Sequence, residues 1–178
     1  MKNQNTNAIP AGIVPSLPLV QAAMIAALYV VLTFIANALG LANQAIQVRF
    51  SEALTILPYF TPAAIPGLFI GCLLSNLLTG CAIPDIIFGS LATLAGAVLT
   101  YRLRKYKWLA PVPPIVANII VVPFVLLYAY GIKPLWLSFI TVGVGEIISC
   151  GVLGMLLLFT LNKYRSQLFG ISSVSSQK

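Results

Sequence analysis

The chain has 178 residues, 60% of them hydrophobic and only 7% charged, with a mean hydropathy of +1.00. Soluble domains carry about 25% charged residues, so a soluble fold is excluded for want of a polar coat, and the chain reads as an integral membrane protein. The formal charge of +7 comes from basic residues at membrane edges, which sets nucleic acid aside as a partner.

Taken in chain order, residues 19–39 form a first apolar segment long enough to span, since about 20 residues suffice. A cleaved signal peptide has a shorter apolar stretch, about 7–15 residues. The second segment, 49–61, is short. "TPAAIPG" turns the chain into a third, 66–79, and "GCAIP" into a fourth, 85–103. "RLRKYK" separates that from a fifth, 109–130, where Pro111, Pro113, Pro114 and Pro123 predict kinks or unwound turns. Lys133 and Pro134 open the last, 134–162. The expected architecture is a single all-α transmembrane domain over 1–178, a bundle of about six helices with polar cytoplasmic tails at 1–17 and 166–178.

Six spans place both termini on one side, together with Lys2, Arg102, Arg104, Lys105, Lys107, Lys163, Arg165 and Lys178. Only Arg49 and Lys133 remain opposite. The positive-inside rule then makes the termini cytoplasmic, N-in and C-in.

Histidine is absent, and Cys72, Cys81 and Cys150 are too scattered for a metal-site spacing. No nucleophile–base pattern is apparent, so binding or transport is favoured over catalysis. Attention falls on the acids, of which the chain has three. Glu146 lies about 18 Å into the last span at 1.5 Å per residue, where a carboxylate costs about 2.5–3.5 kcal/mol and needs a cavity or a partner. Asn118 in the fifth span is expected at the same level, and Ser90 and Thr93 face the same half from the fourth. Asp85 opens a helix, where a carboxylate complements the positive helix end. Arg49 and Glu52, three apart, suit either a pair that seats a helix or the lining of an outer gate. These polar groups gather in the outer half, which fits an outward-facing pocket better than a pore. Being mostly acceptors, they suit a solute with donors or a positive charge. Phe88, Tyr128, Trp136 and Phe139 offer stacking surfaces. Ala22/Ala26 and Ala23/Ala27 form small-xxx-small pairs that admit another helix closely.

Six spans in about 180 residues, no nucleotide-binding motif and an alanine pair in the first span together resemble an S component, the substrate-capture subunit of energy-coupling factor (ECF) transporters. "QVRFSEALTILPYFTPAAIPGLFIGCLLSNLLTG" and "DIIFGSLATLAGAVLTYRLRK" closely resemble the QueT family, S components assigned to queuosine precursors. "GEIISCG" extends the match over most of the chain.

The resemblance implies capture of one small solute from outside a prokaryotic cell membrane, and delivery inward with a T component and two cytoplasmic ATPases. ATP is then used by those partners, and no cofactor or metal is expected on this chain. It assigns Ala22, Ala23, Ala26 and Ala27 to contact with the T component. The implied ligand is 7-aminomethyl-7-deazaguanine or a close relative. One carboxylate accepts from its adjacent ring N–H and amino groups, and a second balances its ammonium. Glu146 is the candidate for one role and Asp85 or Glu52 for the other, with Asn118, Arg49, Ser90, Phe88, Trp136 and Phe139 as further substrate contacts. The competing expectation is a stand-alone secondary carrier or channel with Glu146 as its coupling carboxylate; the internal repeat such carriers often show is not evident.

Overall fold

The computed structural model describes residues 16–41 and 47–165. The expected polar tails lie outside these residues, except that Ser16 and Leu17 already begin the first helix. The described secondary structure is entirely helical. In order it comprises α1 (Ser16–Ala38), a 3-10 helix (Phe50–Tyr59), α2 (Ala64–Leu78), a π-helical turn (Asp85–Gly89), α3 (Ser90–Arg102), a short 3-10 turn (Lys107–Leu109), α4 (Val112–Tyr130), α5 (Leu135–Glu146), a π segment (Ile147–Leu153) and α6 (Gly154–Lys163).

Three stretches are long and apolar enough to cross a bilayer: Leu17–Ala38, Lys107–Tyr130 and Leu135–Lys163, the last uniting α5, the π segment and α6. In α4, Pro113 and Pro114 occupy the first turn, where a missing N–H costs nothing, and the helix continues through Pro123. Of the prolines expected to kink or unwind the segment, Pro111 lies in the turn before α4, and no unwound turn interrupts the helix at Pro123. Gly131 ends α4 in the left-handed region at φ 67°, and the Ile132 N–H reaches back to the Leu126 carbonyl at 3.1 Å.

The short second segment is a 3-10 helix, buried from Ser51 to Pro58 and packed against α1, α2, α3, the π segment and α6. At about 2.0 Å per residue it is roughly 20 Å long, well short of the hydrocarbon core. Ahead of it, residues 47–49 have no regular secondary structure, and Arg49 is extended. The Gln47 carbonyl lies against Gly145, where any Cβ would collide with it, and the Arg49 N–H donates to Ser149 Oγ at 3.1 Å. The 3-10 helix therefore starts at mid-height in the bundle.

The two ends of the bundle differ. At one, Thr61 Oγ1 donates to Gln21 Oε1 at 3.1 Å, so the start of α1 meets the end of the 3-10 helix. There too Lys107 Nζ lies 5.5 Å from the Trp108 ring centre and 6.0 Å from that of Phe159, joining the basic 102–107 loop to α6. At the other end, the Tyr130 hydroxyl donates to Asp85 Oδ2 at 3.1 Å and accepts the Ala82 N–H at 3.0 Å.

The alanine stripe is split. Ala22 and Ala26 are buried, whereas Ala23 and Ala27 are exposed. A Cβ on Gly67 would sit 2.7 Å from the Ala22 carbonyl oxygen, and one on Gly71 would sit 3.1 Å from Ala26 Cα. The expectation of a partner contact for all four alanines is thus corrected: Ala22 and Ala26 seat α1 on the Gly67–Gly71 face of α2, and only Ala23 and Ala27 remain open. Such close backbone approach is what holds helices together where lipid offers no hydrophobic drive. Gly71→Val should cost about 1–3 kcal/mol by overpacking this crossing and lower the unfolding temperature in detergent, while Ala23→Val leaves it unchanged; equal effects would contradict the assignment of faces.

Candidate functional site

The site begins with α1. Tyr29, Thr33 and Asn37 recur every four residues and so stack on one helical face. Tyr29 is almost fully buried, and its hydroxyl donates to Glu52 Oε1 at 2.5 Å. Thr33 Oγ1 donates to Ser51 Oγ at 2.9 Å. Sequence reasoning passed over Tyr29, although the four-residue spacing of polar groups within an apolar helix was the signal that marks it.

Glu52, 1% exposed, and Glu146, 8% exposed, face each other across Asn118. The Asn118 amide donates to Glu146 Oε1 at 2.9 Å and reaches toward Glu52 Oε2 at 3.5 Å. Two carboxylates can only accept when ionised, so one amide supplying both N–H donors is the arrangement that holds them together. The other Glu146 oxygen, Oε2, lies 3.2 Å from Cys150 Sγ, and Thr55 Oγ1 donates to the Glu52 carbonyl at 2.6 Å. The level expected for Asn118 and Glu146 is therefore observed. The placement of Glu52 at an outer gate is not: Glu52 bonds Tyr29 and Asn118 and joins the deep cluster.

The helical Arg49–Glu52 pair is also corrected. Arg49 precedes the 3-10 helix in extended conformation, with φ −108° and ψ 109°, so its side chain leaves in another direction. Glu52 takes Tyr29 and Asn118 instead. Arg49 is half-buried, lies within the electrostatic reach of Asp85 and Glu52, and among the described residues its guanidinium has no hydrogen-bond or ion-pair partner.

Two cavities meet at Gln47 and Arg49. The outer one, about 360 Å³, is lined by Thr33, Asn37, Asn76, Asp85 and Tyr130 among others. That volume lies in the range of small-molecule sites, about 300–1,000 Å³. The inner one, about 20 Å³, reaches Glu52, Asn118, Glu146 and Thr93, and is no larger than a water molecule needs. All three acidic residues of the chain therefore line two adjoining cavities, with Arg49 in both linings. Both π-helical turns adjoin it: one starts at Asp85 and the other directly follows Glu146. Such turns are frequent at functional sites.

Other expected contacts lie elsewhere. Ser90 is buried but donates to the Ile86 carbonyl of its own helix at 2.6 Å. Phe88 and Trp136 are 53% and 63% exposed, and Tyr128 is exposed too. Phe139 packs edge-on against Phe124 at 5.8 Å. None of these aromatics lines either cavity. Phe88, Tyr128 and Trp136 sit on the outward faces of their helices, so none of the four offers the site a stacking surface, and Tyr130 is the aromatic in the outer lining. Glu52, Glu146 and Cys150 have their ligand atoms within 4.8 Å of one another, a donor set already spent on Tyr29, Asn118 and mutual hydrogen bonds.

Comparison with known proteins follows the same lines. The family model described as QueT transporter matches residues 19–163. A queuosine precursor transporter QueT from Lactococcus lactis subsp. cremoris (strain MG1363) is 36% identical over 95 residues, covering 51% of this chain and 56% of that protein. The aligned stretch thus spans little more than half of the relative's length. No solved structure matches.

The shared amide generates a test of the cluster. Asn118→Leu should strip both carboxylates of a donor and destabilise the protein by about 1–3 kcal/mol, read as a lower unfolding temperature in detergent. Adding Glu146→Gln should recover part of that loss, because it removes one of the facing charges; strictly additive losses would mean that the three groups do not act as a unit.

Proposed function

This chain belongs to the QueT transporter family, and on that premise we propose that it is the substrate-capture subunit of an ECF-type importer for a queuosine precursor. The observation that carries the reading is the convergence of every acidic residue on two adjoining cavities that share Arg49. An apolar membrane protein has no reason to bury carboxylates unless they meet something cationic or rich in donors.

In this reading 7-aminomethyl-7-deazaguanine enters the outer cavity edge-first. Its ring N–H and amino group point through the neck toward Glu52 and Glu146, which accept them in charge-assisted hydrogen bonds. Its ammonium remains in the outer cavity beside Asp85, whose carboxylate is oriented by the Tyr130 hydroxyl. Asn118 keeps the deep carboxylates in place for this exchange.

The two ends of the bundle support N-in, C-in placement in the cell membrane. Arg102, Arg104, Lys105, Lys107, Lys163 and Arg165 lie in the loop and helix end joined by the Lys107 contacts, and the outer cavity lies by Asp85 and Tyr130 at the other end. With the basic end cytoplasmic, the cavity faces outward. The exposed Ala23–Ala27 face is then available to the T component, and two ATPases supply the energy.

Purified protein should bind the aminomethyl ligand, and Glu52→Gln and Glu146→Gln should each weaken binding by about 100-fold. Asp85→Asn should weaken the aminomethyl ligand far more than its neutral nitrile counterpart. Uptake in cells should vanish when the ECF ATPases are deleted. Uptake by this chain alone in liposomes, driven by a pH gradient, would instead establish the secondary carrier.

A further inference from the structure

Arg49 is the one charged group of the site that capture of a cation leaves unexplained. It stands at the neck, lining both cavities. Its backbone is fixed by the N–H bond to Ser149 Oγ at 3.1 Å and by the packing of Gln47 on Gly145. Its side chain is not tied down: among the described residues no carboxylate lies within 4.0 Å and no acceptor takes its N–H groups. A guanidinium carries five donors in a rigid fork and no acceptor. Placed between acids yet bonded to none of them, it faces whatever crosses the neck.

We infer that Arg49 reads the ring carbonyl of the bound heterocycle and so sets specificity for a lactam edge, in which a C=O adjoins the N–H groups that the deep carboxylates accept. The inference rests on the reading of the ligand given above. Chemically the division is complete: Glu52 and Glu146, when ionised, only accept, so the acceptor end of the same edge needs a donor at the same level. Arginine reading guanine through its carbonyl oxygen is a general solution in nucleic-acid recognition. In a 7-deaza ring the neighbouring nitrogen is replaced by carbon, which leaves the carbonyl oxygen as the acceptor on that side.

The test compares two probes, 7-aminomethyl-7-deazaguanine and its thione, in which sulfur, a poor acceptor, replaces the carbonyl oxygen while both N–H donors and the ammonium are retained. Isotherms are measured on the full-length protein in detergent for wild type, Arg49→Met and Arg49→Lys, with unfolding temperatures alongside. Wild type should prefer the carbonyl ligand by about 10-fold or more, the strength of one charge-assisted hydrogen bond. Arg49→Met should bring that ratio close to one. Arg49→Lys, which keeps the charge but loses the fork, should fall between them and carries the comparison if the Met variant does not fold. Variants that weaken both ligands alike and preserve the wild-type ratio would reduce Arg49 to charge balance and overturn the inference. If wild type binds neither probe, the ligand reading itself falls, and this inference with it.

Discussion

A carboxylate in an apolar medium must be solvated by the protein, and the architecture turns on that requirement. Left alone at mid-membrane it costs about 2.5–3.5 kcal/mol; here two of them share Asn118, while Tyr29 and Cys150 serve the remaining oxygens. Those partners come from α1, the 3-10 helix, α4, α5 and the adjoining π segment. A cluster that needs so many elements at one height also fixes their relative height. Packing alone would leave apolar helices free to slide.

The two cavities divide labour by size. The outer one has room for a small molecule; the inner one does not. In the proposed reading a ligand is recognised at depth only by its edge, through hydrogen bonds, while its bulk stays among Thr33, Asn37, Asn76 and Tyr130. That geometry favours discrimination by donor and acceptor pattern, which a purely apolar pocket achieves poorly.

Much of this was legible in the sequence. Long apolar runs mark α1, α4 and the 135–163 rod, and the depth of Glu146 and Asn118 followed from counting residues along straight helices. Glu52 was misplaced for a physical reason: counting assumes that an apolar segment begins at the membrane surface, and here Gln47 packs on Gly145 and Arg49 bonds Ser149, well inside the last span, before the helix begins. The alanine stripe was read as one surface, but its two registers point in different directions, and only the glycine pair on α2 shows which of them is used internally. The aromatics were assigned by height. Height does not tell which way a side chain points, and Phe88, Trp136 and Tyr128 face out.

The central 3-10 helix carries a consequence for how such a chain can change over time. With three residues per turn, adding or removing one residue ahead of Glu52 turns its carboxylate by about 120° and moves it by about 2 Å. Tyr29 and Asn118 would then face an empty position. Loops elsewhere can lengthen cheaply, but the stretch from Gln47 to Glu52 is clamped at both ends, by Gly145 and Ser149 at one and by Tyr29 and Asn118 at the other. Its length is thereby as constrained as its residues, and drift in this stretch should proceed by substitution and not by insertion.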